Sequence, residues 1–148
     1  MRVVVDASVV VKWVLPDPER EAMTGEALAL LHAIRSGDVE PIQPPHWLAE
    51  VAAVLARLRP AIAESTLDIL DAIELPVAAD AAVYRRAIRL AAELGHHLFD
   101  TLYHAVALER EALLITADAH YPRKALHLGA VVDLAGWSDA ALARSNEG

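Results

Sequence analysis

The segment VVVDASVVVKW, Val3 to Trp13, sets one acid among six valines. Val3 to Val5 is a short continuous apolar run suited to a strand buried on both faces, and Ala7 to Trp13 can turn straight into helix. Asp6 stands at the junction. A carboxylate there either caps the helix or faces a ligand beyond the carboxyl end of the strand.

Working outward, Pro16 and Pro18 mark a break, after which Leu28, Leu31 and Ile34 recur at helical spacing in a helix expected from Glu19 to Arg35. Val39 to Gln43 offers a second short strand, and Pro44 and Pro45 lead into a helix from Trp47 to Arg59 with Val51, Val54, Leu55 and Leu58 on one face. A further helix is expected between Ala61 and Glu74, a brief strand over Leu75 to Ala78, and a helix capped by Asp80 and closed by Gly95. Phe99, Leu102, Tyr103 and Val106 begin the next helix. Ala112 to Thr116 and Ala130 to Val132 are the last strand candidates, separated by a polar segment with room for a helical turn. This alternation predicts an α/β fold, a parallel sheet flanked by helices on both faces.

The chain has 148 residues, the size of one domain. One domain over 1–148 is expected, with a core from about 3 to 133 and a disordered tail from about 144. The absence of cysteine excludes a disulfide framework, a thiolate metal site and a cysteine nucleophile, and fits a reducing cytoplasm. Asp6 and Lys12 interrupt the apolar start, so it does not read as a signal peptide, and nothing reaches the ~18 apolar residues of a membrane span. A soluble, cytoplasmic protein is expected.

In open parallel sheets ligands bind beyond the carboxyl ends of the strands, where both Asp6 and Asp118 fall. Glu50 lies on the margin of the apolar stripe of the Trp47 helix, and Asp100 in the first turn of the Phe99 helix. Taken singly, Asp6 and Asp100 read as helix caps, Asp118 as a turn former, Glu50 as a solvated acid, and Ser8 and Thr116 as capping or turn hydroxyls. The combination carries more. DAS after the first strand, AEVAAVL on a mid-chain helix, FDTLYHAVA on a later helix and LLITADAHY after a late strand resemble the PIN domain family, and within it the VapC-type ribonuclease toxins of toxin-antitoxin pairs. The resemblance runs from about Val3 to Val132.

The resemblance implies that Asp6, Glu50, Asp100 and Asp118 form an acidic quartet holding one or two Mg2+ or Mn2+ ions, with Ser8 and Thr116 supporting it. It also implies an RNA substrate, an antitoxin partner and a homodimer. Physical chemistry agrees with the metal. Two carboxylates ~4 Å apart repel by about 4 kcal/mol at an effective dielectric of 20, and a divalent cation removes that conflict. Oxygen ligands select Mg2+ or Mn2+ over softer ions. Asp6, Asp100 and Asp118 are expected as ligands, and Glu50 as a ligand or the group that orients water.

The net charge of −8 suits a basic protein partner and leaves RNA phosphate to local cations, of which Arg123 and Lys124 stand nearest the quartet in sequence. His104, four residues after Asp100, could ligate a softer metal or act as a general acid, but reads first as a partly exposed helix histidine. His96 and His97 either touch RNA or end the preceding helix, the latter being the first reading, and Trp13 and Trp47 read as core anchors before base-stacking platforms. Two alternatives stay open: a non-catalytic PIN-like binding module, and a metal-dependent nuclease acting on DNA.

Overall fold

The computed structural model describes residues 1–15 and 23–147. The expected break at Pro16 and Pro18 and the expected helix start at Glu19 lie outside the described residues. Within them, β1 (Arg2–Val5) runs parallel to β2 (Glu40–Pro41) on one side and to β3 (Ala112–Thr116) on the other, with β4 (Val131–Asp133) beyond β3. Val3, Val4, Val5 and every residue of β3 are buried. Successive strand side chains point to opposite faces, so this pattern requires cover on both.

The helices are α1 (Ala7–Val14), α2 (Thr24–Ser36), α3 (Trp47–Leu58), α4 (Ala63–Asp71), α5 (Ala81–Leu94), α6 (Leu98–Glu109), α7 (His120–Ala125) and α8 (Trp137–Asn146), of which α1 and α6 lie against the central strands, α7 and α8 against β4, and α5 on α6. Trp13 and Trp47 are buried, as expected, and the Trp13 indole N–H donates to the Ala27 carbonyl at 2.9 Å, joining α1 to α2. Helix α8 was not expected. Its Trp137 is buried and donates to the Glu26 carbonyl at 3.3 Å, so a tertiary contact holds a segment whose own sequence is only weakly amphipathic.

Two expected strands are shortened for identifiable reasons. Pro41 and Pro44 have no N–H to offer a ladder, and β2 keeps two residues. The Leu75 to Ala78 strand is reduced to a bridge between Gln43 and Val77, interrupted by Pro76. At the other end of the sheet, Ala130 adopts φ 59°, outside any strand conformation, so β4 begins one residue later than the sequence suggests. Asp80 occupies the position before α5, but its carboxylate pairs with Arg110 instead of capping.

The connection leaving β1 leads to β2 on one side, whereas the connection leaving β3 leads to β4 on the other. The carboxyl ends of β1 and β3, level through the pairing of Val5 with Ile115, therefore flank the crevice where such sheets bind ligands. No helix among the described residues is long and apolar enough to cross a membrane.

Candidate active site

Asp6 leaves β1 with its N–H still bonded to the Ile115 carbonyl at 3.0 Å, the last rung between the two central strands. The rung before it is reinforced from the side. Gln43, fully buried, accepts from the Val5 N–H and donates to the Val5 carbonyl through its side-chain amide, both at 2.8 Å. The backbone that presents Asp6 is thus fixed on both flanks.

The Asp6 carboxylate accepts from the Ser8 N–H at 3.3 Å, from the Ser8 hydroxyl, and from the Thr116 hydroxyl at 3.1 Å. Each hydroxyl in turn accepts a backbone N–H from the loop after β3: Ala117 to Ser8 Oγ at 3.0 Å, and Asp118 to Thr116 Oγ1 at 3.1 Å. The carboxylate accepts, so each hydroxyl gives its hydrogen to Asp6 while a lone pair takes the backbone N–H. The capping reading of Asp6 holds, because it is the residue that opens α1. Burial pushes its carboxyl pKa up; the Ser8 bond pulls against this, the charge of Glu50 adds to it, and the Thr116 bond opposes it. Asp118 bonds the His120 N–H at 2.9 Å and so shapes the entry to α7.

The other two acids come from helices. Glu50, in the first turn of α3, meets His46 Nε2 at 2.8 Å through one oxygen and accepts from the Tyr103 hydroxyl at 3.3 Å through the other. Asp100, in the first turn of α6, meets His96 Nε2 at 2.7 Å. The position before α6 belongs to His97, so Asp100 is not its cap. Burial, with the charges of Glu50 and Asp6, pushes the Tyr103 pKa far up and keeps it a hydrogen donor.

Asp6, Asp100 and Asp118 line one cavity of about 20 Å³ with Tyr103, Leu114, Thr116 and Tyr121. That volume suits one small occupant, such as a water or a bare cation. Glu50 stands behind Tyr103, outside the lining. A larger groove of about 460 Å³ opens beside Asp118 and carries Arg123 and Pro122 on its wall. Arg123 is exposed there, while Lys124 turns to His96 Nδ1 at 3.3 Å.

The donor set is chemically suited to a hard divalent cation, being carboxylates backed by hydroxyls. No group of three His, Asp or Glu side chains among the described residues converges as a ready ligand cluster. Asp100 is turned to His96 and Asp118 to its own helix, each through one named oxygen. A cation would draw on their second oxygens or exchange those partners.

His104 departs from expectation. It is fully buried, with Nδ1 2.9 Å from the Tyr121 hydroxyl and Nε2 2.7 Å from the Gly129 carbonyl. The carbonyl only accepts, so Nε2 carries the hydrogen and Tyr121 donates to Nδ1. Residues 101–107 are all buried, which leaves α6 no exposed face for such a histidine. Burial lowers its pKa. His96 also departs, serving as the partner of Asp100 and not merely as a helix terminator. Gln43, His46, Tyr103 and Tyr121 went unrecognised in the sequence. The two histidines had a legible signal, since each stands four residues before an acid, His46 before Glu50 and His96 before Asp100.

The model of the PIN domain family matches residues 3–126. Comparison with curated proteins gives no match. Among solved structures the chain is similar to VapBC2 from Rickettsia felis, determined with a DNA fragment from their promoter, at 16% identity and TM-score 0.67 over 90% of this chain and 98% of that one. It is similar to a toxin-antitoxin complex from Klebsiella pneumoniae at 15% identity and TM-score 0.63, over 89% and 97%. It is also similar to PAE2754 from Pyrobaculum aerophilum at 19% identity and TM-score 0.66, over 97% and 96%. At these identities the likeness is one of fold.

Proposed function

We propose, from the premise that this chain belongs to the PIN domain family, that it is a metal-dependent endoribonuclease and the toxin of a toxin-antitoxin pair. The observation that carries the reading is the meeting of Asp6, Asp100 and Asp118 on one small cavity in the crevice between β1 and β3. Their oxygens would hold one or two Mg2+ or Mn2+ ions. Such an ion supplies Lewis acidity, acidifying the attacking water and balancing charge that develops at the phosphate.

The chain's own residues do the rest. Ser8 and Thr116 hold Asp6 in one orientation, and their backbone donors tie that orientation to the loop bearing Asp118. Glu50, joined to the cavity through the Tyr103 hydroxyl, would orient water there or complete the ligand set. Arg123 and Lys124 would meet phosphates flanking the scissile bond. The partner would be an antitoxin, supported by the likeness to a toxin-antitoxin complex and by the acidic surface a basic segment would match. A cytoplasmic homodimer is part of the same reading.

The test is cleavage of bulk RNA and of single-stranded DNA by purified protein. Cleavage of RNA restored by Mg2+ or Mn2+ after EDTA treatment is the expected result. Activity undiminished in EDTA removes the metal, equal cleavage of DNA removes the RNA preference, and Mn2+ binding indifferent to Asp6→Asn favours a non-catalytic module.

A further inference from the structure

We propose that His46 is a positioning residue for the acidic site, its Nε2 anchored on the Phe99 carbonyl and set against the Glu50 carboxylate; the inference rests on the nuclease reading and deepens it. His46 occupies the position before α3, yet its side chain makes no capping bond to that helix. Its ring instead lies over the first turn and places Nε2 2.8 Å from Glu50 Oε1 and 2.7 Å from the Phe99 carbonyl oxygen.

A carbonyl only accepts, so the Phe99 contact requires the hydrogen on Nε2, and the same nitrogen lies within ion-pair distance of Glu50. The other nitrogen, Nδ1, is buried with no hydrogen-bond partner, so the polar contacts of the ring all pass through Nε2. Two aromatic neighbours hold its plane, Tyr103 at 5.0 Å and Phe99 at 5.5 Å between ring centres.

The consequence falls on Glu50. A glutamate near a helix start has several rotamers open to it, and fixing one takes contacts beyond the helix itself. His46 takes one oxygen and the Tyr103 hydroxyl takes the other, at 3.3 Å. Phe99 directly precedes Asp100, so a single ring nitrogen sets Glu50 on α3 against the backbone that carries Asp100 on α6. Without it the Tyr103 hydroxyl alone would tie Glu50 to α6.

The experiment compares His46→Phe, Glu50→Gln, the double variant and His46→Gln on an RNA substrate with Mg2+. The expected results are a fall in kcat of about 10–100-fold for His46→Phe with KM little changed, no further fall when it is added to Glu50→Gln, and recovery of most of the loss in His46→Gln, whose amide N–H reaches the same place. Independently of activity, the His46 Nε2–H resonance of the metal-free protein should move in Glu50→Gln. Additive losses in the double variant overturn the proposal, as does a His46→Gln protein no better than His46→Phe or a ring proton that ignores Glu50→Gln. Should His46→Phe fail to fold, the proton measurement on wild type and Glu50→Gln decides alone. A wild-type protein inactive on RNA would defeat the nuclease reading, and the ring proton would still report whether His46 holds Glu50.

Discussion

The site has two halves built on different principles. At the strand ends, Asp6 and Asp118 are held by Ser8, Thr116 and backbone N–H groups, all within two short stretches, residues 6–8 and 116–120. On the helices, Glu50 and Asp100 are held by His46, Tyr103 and His96. The first half is a closed network in which each hydroxyl both donates and accepts, so no single member can turn without stranding another. The second rests on contacts to side chains alone, two at Glu50 and one at Asp100. Geometry is preset where the sheet supplies it and adjustable where helices do.

The largest effect expected of this contrast is at Asp6. Asp6→Asn keeps the helix cap and removes the charge, so cleavage should fall by three orders of magnitude or more, about 4 kcal/mol in barrier. The metal-free variant should melt no lower than wild type. The folded-state pKa of Asp6 is raised, so its ionisation opposes folding at neutral pH, and the substitution removes that cost. Near-wild-type cleavage by a natively folded Asp6→Asn protein would break the account of the strand-end half.

Next comes His104, which ties α6 to the segment following α7. His104→Leu leaves the Tyr121 hydroxyl and the Gly129 carbonyl without their partner, at about 1–3 kcal/mol for each group left unpaired. The loss should shrink in acid. Above the ordinary histidine value of 6.5 both folded and unfolded rings are neutral; below it the unfolded chain takes up the proton first, so wild type loses stability that His104→Leu does not. Denaturant melts from pH 7.5 down to 5.5 read the closing gap, and a gap that widens would mean that the buried ring is charged.

Thr116→Val tests the closed network more gently. It removes the acceptor of the Asp118 N–H and one donor to Asp6, and should cost about 0.5–1.5 kcal/mol per bond, read by denaturant titration. The smallest change is expected at Asp100→Asn, which alters one exchangeable contact on a half-exposed side chain. Thermal melts of the metal-free protein should differ from wild type by about 1 kcal/mol or less. A loss as large as that of Thr116→Val would erase the distinction between the two halves.

Much of this was legible in the chain itself. The apolar runs before DAS and LLITAD mark strand ends and so place Asp6 and Asp118, whereas Ser8 and Thr116 read alone as capping or turn hydroxyls and were joined to the acids only through the family resemblance. Glu50 and Asp100 were placed on their helices by periodicity. Their partners were not. His46 and His96 lie close to their acids in sequence, but nothing local announces that Tyr103 reaches from α6 to Glu50 on α3, or that the Phe99 carbonyl turns the His46 ring.

The same division runs through the fold. Hydrophobic period and proline placement by themselves determined a parallel α/β sheet and where Asp6 and Asp118 would emerge, because an apolar run and its end are properties of neighbouring residues. Only the tertiary structure decided that Gln43 would finish the pairing of Val5 with its side chain, that Trp137 would dock α8 on α2, and that His104 would be buried. Each of these depends on a polar group finding its partner across the chain, and hydrogen bonding between distant residues leaves no periodicity to read.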